Sequence, residues 1–414
     1  FLAENSKFAS ICKENNIKFI GSDAEIINMM GNKSFAKDTM KKVGVPVIPG
    51  SDGNVNTYEE AKFLCTSIGY PVIIKAVSGG GGKGMRLVND ESQLEKSFNM
   101  AKIEAEAAFS DSNVYIEKYL DKPRHIEIQI LCDNFGNIIP LGERECSLQR
   151  RHQKILEESP SCIMTDSLRE KLYNSSIKAC KAVGYVGAGT IEYLVDSEFN
   201  YYFMEMNTRI QVEHPVTEMV TGVDLVREQL RIAAGKPMSC GKLMMRGHAI
   251  EVRLYAEDAS NNFLPAIGPL AVFRPPTGPG IRLDTGVREG DMVTPNYDPM
   301  LAKLIVWAPS RVEALQRMRR ALDEFVVLGT TTNLRFLREL CDHEDVVSGN
   351  TDTTMIERVW PNGWSPQFSS DILNGALMVA GVSESAGLHQ VHSTITSADD
   401  GPQSPFQSLS RRYP

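Results

Sequence analysis

The stretch GTIEYLVDSEFNYYFMEMN, residues 189–207, predicts a β-hairpin and with it an antiparallel sheet. Apolar and aromatic residues, which favour strands, lie on both sides of a polar run that suits a turn. We place the turn at Ser197–Asn200, which makes Asp196 face Tyr201 across the ladder. This pair fixes the register of both strands, because side chains alternate between the two faces with a period of two.

Continuing this register places Glu192 directly opposite Glu205. Like charges at such a position repel, and a divalent cation between them would reverse the sign of the interaction. Asn207 lies two residues beyond Glu205, on the same face, and offers a further oxygen. Oxygen ligands without Cys or His favour magnesium or manganese, usually shared with the phosphates of a nucleotide. The alternative is that both carboxylates simply face water.

A strip of polar side chains leads out of this pair. If residues 205–213 are extended, one face carries Glu205, Asn207, Arg209, Gln211 and Glu213. A strand with one solvent-exposed face would explain any two of these residues. Five different polar groups instead favour a cleft that is lined by polar side chains. An arginine there could hold a small anion, and a neighbouring glutamate could remove the proton of that anion.

Residues 75–86, KAVSGGGGKGMR, place five glycines among three cations. A P-loop needs Ser or Thr after its lysine, but Gly84 follows Lys83. A dinucleotide fingerprint needs a helix at the loop, whereas MRLV reads as a strand. We therefore predict a hairpin whose tip closes over an anion and donates backbone N–H groups to phosphate oxygens. A loose surface hairpin is the alternative, and the entropy of ordering so many glycines disfavours it.

The segment ERECSLQRRHQKILEE, residues 143–158, contains a basic cluster. An exposed nucleic-acid patch is one explanation. Acidic residues enclose the cluster and the whole chain carries a net charge of −8, so a local anion site is favoured. His125 and His214 are also consistent with ordinary core histidines.

Composition excludes several classes of protein. The chain has 414 residues and is 42% hydrophobic, which predicts more than one packed core. Its 52 acidic residues outnumber 44 basic ones, which argues against a nucleic-acid coat. No apolar run approaches the roughly 20 residues of a membrane span. The eight cysteines lack metal-ligand spacing and predict reduced thiols in an intracellular protein, cytoplasmic or organellar.

The order of helices and strands indicates a multidomain chain of α/β and α+β type. Helices with one short strand, IKFIG, are expected first, then a unit with the glycine-rich hairpin and a helix over 91–109. Strand-rich segments follow, with helices near 167–184 and 310–324. The predicted divisions are 1–47, 48–119, 120–246, 247–360 and a flexible tail at 365–414.

Five segments together resemble biotin carboxylase, the ATP-grasp enzyme of acetyl-CoA, propionyl-CoA, methylcrotonyl-CoA and pyruvate carboxylases. They are KAVSGGGGKGMRLV, YIEKYLDKPRHIEIQI, ERECSLQRRHQKILEESPS, GAGTIEYLVD and EMNTRIQVEHPVTE. GIRLDTGVREGDMVTPNYDPMLAKLIVW resembles the C-terminal subdomain, in a form closer to acyl-CoA carboxylase α-subunits. The resemblance implies an ATP-grasp fold with a partial N-terminal α/β domain (1–47), a lid (48–119), a core with the metal and bicarbonate sites (120–246) and a β-rich C-terminal biotin carboxylase subdomain (247–360).

The resemblance also implies a role for each matching residue. ATP would be bound by Lys33, Lys75, Gly80, Gly81, Gly82, Glu117, Lys118, Leu120, His125, Gln149 and His152. Magnesium or manganese would be held by Glu192, Glu205 and Asn207. The bicarbonate pocket would comprise Lys154, Arg209, Gln211 and Val212, with Glu213 as general base. Arg282 would steady the enolate form of biotin.

By the same resemblance, Glu213 deprotonates bicarbonate, carbonate attacks the γ-phosphoryl group of ATP, and the resulting carboxyphosphate breaks down to CO₂ and phosphate. Phosphate takes the N1′ proton of biotin, whose nitrogen captures CO₂. A closed flap would protect carboxyphosphate from water. The sequence lacks a Met-Lys-Met attachment motif, so biotin is expected on a separate carrier domain or chain. The resemblance also implies a carboxyltransferase subunit as a second partner. A homo-oligomer is a further possibility.

Family members have further strands ahead of the position of Phe1, so the sequence predicts a partial N-terminal domain and reduced activity. Two alternatives stay open. One is a different bicarbonate-activating ATP-grasp ligase, such as half of a carbamoyl-phosphate synthetase. The other is a nucleotide-binding chain with little or no turnover. The RRHQK and GIR segments favour biotin over the first.

Overall fold

The computed structural model describes residues 2–77, 85–109, 111–241, 244–367, 374–375 and 377–379. They fall into two units, Phe1–Ser365 and Pro366–Pro414. Among the described residues of the second unit, 374–375 and 377–379 are helical. The predicted glycine-rich tip and most of the predicted tail lie outside the described residues.

The described residues contain twelve α-helices and seventeen strands. The helices are α1 (Ser6–Glu14), α2 (Ala24–Gly31), α3 (Lys33–Lys42), α4 (Tyr58–Ile68), α5 (Glu91–Phe109), α6 (Asp166–Val183), α7 (His214–Thr221), α8 (Leu225–Ala233), α9 (Arg311–Glu324), α10 (Leu334–Leu340), α11 (Glu344–Ser348) and α12 (Met355–Val359). Short 3₁₀ helices cover Leu2–Glu4 and Ala259–Asn261. No helix in the described part of the chain combines the length and apolarity needed to cross a lipid bilayer.

The strands are β1 (Val72–Ala76), β2 (Met85–Val88), β3 (Val114–Lys118), β4 (Arg124–Cys132), β5 (Ile138–Arg150), β6 (Gln153–Ser159), β7 (Gly187–Val195), β8 (Tyr201–Asn207), β9 (His248–Tyr255), β10 (Glu257–Asp258), β11 (Leu264–Pro265), β12 (Gly268–Pro269), β13 (Val272–Arg274), β14 (Ile281–Thr285), β15 (Met292–Val293), β16 (Met300–Ala308) and β17 (Val326–Leu328).

An eight-stranded sheet organises the first unit, in the order β14-β16-β9-β6-β5-β4-β7-β8. Every pair in it is antiparallel. A smaller sheet, β2-β1-β3, carries the segment that leads into the glycine-rich tip. The hairpin at 189–207 therefore belongs to an antiparallel sheet, as the sequence predicted, and occupies its β8 edge.

The two faces of β4 show how the sheet builds a site. Ile126, Ile128 and Ile130 belong to an apolar core that also includes residues of α3 and α6. The alternate residues Glu127 and Gln129 are also fully buried but lie on the opposite face. One face thus stabilises the sheet by apolar burial, and the other holds polar groups away from water.

The hairpin register differs from the prediction at the turn. Val195, not Asp196, faces Tyr201, because the Asp196 carboxylate accepts hydrogen bonds from the turn N–H groups of residues 198 and 200. A bulge beyond Tyr193 then shifts the register, so Glu192 faces Glu205 after all. The carboxylate pair is confirmed, but the predicted register was wrong by one residue between the turn and the bulge.

One prediction of secondary structure was wrong, and one assumption does not hold. IKFIG forms no strand: no ladder among the described residues includes 17–21, and the N–H of Ile17 instead donates to the carbonyl of Cys12. A strand without a partner leaves its backbone groups unpaired. Residues 205–213 are not extended throughout, because β8 ends at Asn207 and α7 begins at His214, with Pro215 in its first turn.

We expect Phe203→Ala to destabilise the β8 edge. The Phe203 ring is fully buried, so its removal leaves a cavity that typically costs about 3–5 kcal/mol. Denaturant unfolding measures the loss. Tyr202→Ala, at the neighbouring and partly exposed position, is the control and should lose less. Equal losses for the two variants would contradict the proposed packing of this edge.

Candidate active site

The ammonium group of Lys154 lies at the centre of the polar face. Lys154, on β6, has an 11% exposed side chain. Its Nζ lies 2.5 Å from Glu213 Oε1, 2.6 Å from Glu127 Oε2 and 3.0 Å from Glu192 Oε1. The side-chain oxygen of Gln211 is 3.3 Å away. Strands β4, β6 and β7 and the loop before α7 therefore converge on one cation.

Glu213 lies between two cations. Its second oxygen accepts a hydrogen bond of 3.0 Å from Arg253 on β9, and Arg253 also binds Glu157 at 2.6 Å. Burial opposes ionisation of Glu213, but Lys154 and Arg253 outweigh it and lower its pKa to about 2. Glu213 is thus a carboxylate at any physiological pH while both cations contact it.

Nitrogen donors surround the Glu192 carboxylate of the Glu192–Glu205 pair. Glu192 Oε1 accepts hydrogen bonds of 3.0 Å from both Asn207 and Gln211, and its Oε2 lies 3.1 Å from His125 Nε2. Burial and the charge of Glu192 raise the pKa of Glu205, so the second negative charge is poorly compensated. Two facing carboxylates with an amide beside them fit a hard divalent cation.

A lysine-rich region lies on the other side of the pair. Lys33 Nζ is 3.6 Å from Glu205. On β1 and β3, Lys75 Nζ lies 2.7 Å from the buried carboxylate of Glu117. Lys75 and Glu117, both predicted to bind ATP, are therefore in contact. Lys33 lies between this region and the Glu192–Glu205 pair.

The other residues predicted to bind the nucleotide differ in their burial and in their contacts. His125 and Gln149 are buried and in contact at 2.8 Å. His152 is exposed in the turn between β5 and β6, with a φ of 66°. Lys118 donates to the carbonyls of residues 69 and 70, and Leu120 is half-buried just after β3. Gly80, Gly81 and Gly82 lie outside the described residues.

The remaining bicarbonate-pocket residues extend the cluster. Arg209 donates to Asn207 Oδ1 at 3.3 Å and, through Nε, to Glu4 at 2.7 Å. The backbone carbonyl of Val212 accepts a 2.7 Å hydrogen bond from Lys303. Although the strip is not one strand, its turn after β8 still brings most of the predicted side chains together.

Arg282 is not part of this cluster. On the edge strand β14 it forms two hydrogen bonds with Asp284 and one of 2.7 Å with Glu218. Arg253 occupies the place beside Glu213 because β9 is next to β6 in the sheet. The role of Arg282 stays a prediction, and Arg253 becomes a second candidate for the active-site arginine. The sequence does contain a signal for Arg253: Glu251 and Arg253 are charged residues two positions apart in an otherwise apolar strand.

The sequence also missed the buried support of the cluster. Arg144 is fully buried. It binds Glu127 through Nε, Gln129 at 2.6 Å, and the hydroxyls of Thr190 and Thr217 at 3.0 Å each. These bonds fix the orientation of the Glu127 carboxylate that contacts Lys154.

Two family descriptions match this chain. The family description "Carbamoyl-phosphate synthase L chain, ATP binding domain" matches residues 32–240, and "Biotin carboxylase C-terminal domain" matches residues 251–358. A biotin carboxylase of Nostoc sp. is 51% identical over 361 residues, which cover 87% of this chain and 81% of that protein.

Two further similarities extend this match. The mitochondrial methylcrotonoyl-CoA carboxylase subunit alpha of Dictyostelium discoideum is 46% identical over 99% of this chain and 58% of its own length. The crystal structure of the Hydrogenobacter thermophilus 2-oxoglutarate carboxylase biotin carboxylase domain, a dimer with MgADP, ADP and bicarbonate, has a TM-score of 0.80 at 45% identity. It covers 87% of this chain and 80% of that one.

The fold and site define an ATP-grasp ligase. The chain belongs to the biotin carboxylase family of the biotin-dependent carboxylases, and the corresponding enzyme class is an ATP-dependent carboxylating ligase.

Proposed function

We propose that this chain carboxylates biotin with bicarbonate and ATP as the biotin carboxylase component of an acyl-CoA carboxylase. The main support is the position of Glu213. Its carboxylate lies between Lys154 and Arg253, next to the Glu192–Glu205 pair. A base, two cations and two candidate metal ligands therefore lie together in one part of the polar face.

In this proposal ATP lies along the lysine-rich region. Lys33 and Lys75 bind phosphates, and the remaining nucleotide contacts are Gly80, Gly81, Gly82, Glu117, Lys118, Leu120, His125, Gln149 and His152. The contact between Lys75 and Glu117 supports the assignment. Glu192, Glu205 and Asn207 hold magnesium or manganese, which when bound offsets the charge of the phosphates.

Bicarbonate lies against Lys154, with Arg209, Gln211 and Val212 around it. An anion there shares the positive charge that now stabilises ionised Glu213, so the pKa of Glu213 rises as the substrate binds. Glu213 can then accept the bicarbonate proton, which a carboxylate of pKa about 2 does poorly. Substrate binding thus activates the base.

Arg253 takes the role that the sequence assigned to Arg282. A guanidinium group that touches the base is well placed to stabilise the negative ureido oxygen of biotin while the N1′ nitrogen reacts. The bond between Arg253 and Glu157 holds the guanidinium plane in place.

The match to methylcrotonoyl-CoA carboxylase subunit alpha supports an acyl-CoA carboxylase. That match extends over 99% of the chain, whereas the Nostoc match covers 87%. The proposed partners are a biotinylated carrier and a carboxyltransferase subunit, and a homodimer is supported by the dimeric relative. An intracellular location is also proposed, since relatives are named chloroplastic or mitochondrial.

We expect Glu213→Gln to lower bicarbonate-dependent phosphate release by about 10²–10⁴-fold, the usual contribution of a general base. The assay uses ATP, magnesium and free biotin, and binding of ADP should be retained. Glu198→Gln, in the exposed β7–β8 turn, is the control. Unchanged turnover in Glu213→Gln would contradict its role, and equal rates with and without biotin would favour a different bicarbonate-activating ligase.

A second pair of variants separates the two arginines. Arg253→Met should abolish most biotin-dependent turnover, because it removes one of the two cations that contact Glu213. Arg282→Met should keep a larger share of the activity, since its partners are Asp284 and Glu218. Steady-state kinetics with free biotin measure both. The reverse order of the two activities would restore Arg282 as the active-site arginine.

A further inference from the structure

Helix α3 directs a second lysine towards the nucleotide side of the site. Lys37 follows Lys33 by one turn, so the two side chains share a face of the helix. The Lys37 side chain is 24% exposed. Its Nζ contacts Glu117 Oε1 and lies 5.4 Å from the centre of the Tyr115 ring. Lys37 has no role in the function proposed above.

The contacts of Lys37 leave an excess of positive charge. Glu117 is the carboxylate that the described residues offer to Lys37, and its other oxygen already binds Lys75 at 2.7 Å. Lys33 adds a third ammonium group, whose nearest carboxylate, Glu205, is 3.6 Å away. One buried carboxylate therefore serves two ammonium groups.

This excess is unfavourable in the protein without an anion. Burial and the neighbouring ammonium groups lower the pKa of Lys37 to about 8, and burial and Lys33 lower that of Lys75 to about 8. Neutralising Glu117 requires only one of the two lysines. A second partly buried cation beside the first is expected where an anionic ligand completes the charge balance.

We propose that Lys37 is a further phosphate-binding residue, which with Lys75 grips the phosphate chain of a nucleoside di- or triphosphate. The proposal rests on the proposed function, since that function places the nucleotide against Glu117. When the nucleotide binds, Lys37 exchanges part of its contact with Glu117 for a phosphate oxygen. Helix α3 then contributes two phosphate ligands, one turn apart.

The test compares nucleotide binding by Lys37→Met, Lys37→Arg and Lys41→Met, using calorimetry of the whole chain at pH 7 with magnesium. Lys41 lies one turn further along α3 and binds the exposed carboxylate of Asp52 at 2.7 Å, which makes it a matched control. Lys37→Met should weaken ADP binding about tenfold or more. Lys37→Arg should keep most of the affinity, and Lys41→Met should match the wild type.

Two further measurements distinguish a binding role from a structural one. Adenosine, which lacks phosphate, should bind Lys37→Met and the wild type equally. Without nucleotide, the Lys37→Met unfolding midpoint should be unchanged or higher, because the variant removes repulsion with Lys75. If Lys37 only supports Glu117, the variant loses stability and loses adenosine and ADP affinity alike.

The outcomes separate this inference from the function on which it rests. Wild-type ADP binding with an unchanged affinity in Lys37→Met would overturn the inference alone. A wild-type chain that binds no ADP would overturn the proposed function and the inference with it.

Discussion

The structure depends on one electrostatic constraint: the ammonium group of Lys154 is surrounded by three buried carboxylates, Glu127, Glu192 and Glu213. Charges this far from water are tolerated only when they are paired and hydrogen-bonded. Arg144 and Arg253 supply the other cations from neighbouring strands. The side chains on the polar face of the eight-stranded sheet must therefore be positioned as closely as those on its apolar face.

The same cluster sets the pKa of the proposed base. Lys154 and Arg253 outweigh the cost of burial and lower the pKa of Glu213 to about 2. In the function proposed above, a bound anion would compete with Glu213 for Lys154, and a cation between Glu192 and Glu205 would relieve their repulsion. In the lysine-rich region the balance has the opposite sign, since Lys37 and Lys75 share the carboxylate of Glu117.

The sequence predicted the antiparallel sheet, the carboxylate pair and most of the cluster, because these follow from alternation along strands and from recognisable segments. Its failures have local physical causes. The side chain of Asp196 binds turn N–H groups, and a bulge beyond Tyr193 compensates for the shift, which no period-two pattern can reveal. The turn between β8 and α7 was missed because a polar strip of alternating residues suits a strand as well as a turn whose side chains converge.

Long-range contacts were the least predictable part of the site. Arg253 and Arg282 both lie on strands beyond residue 247, and only the order of strands in the sheet decides which one meets Glu213. Arg144 and Glu127 were likewise invisible as a pair, since a buried ion pair in two strands resembles two exposed charges until the burial is known. Lys37 became informative only through its contact with Glu117.

A crystal structure of the chain with MgADP and bicarbonate would show whether the Lys154 cluster and the Glu192–Glu205 pair form one reaction site. We expect a metal ion between the carboxylates of Glu192 and Glu205, and bicarbonate bound to Lys154 within hydrogen-bond distance of Glu213. A metal ion bound away from both carboxylates, or bicarbonate remote from Lys154 with the Lys154–Glu213 contact unchanged, would contradict it.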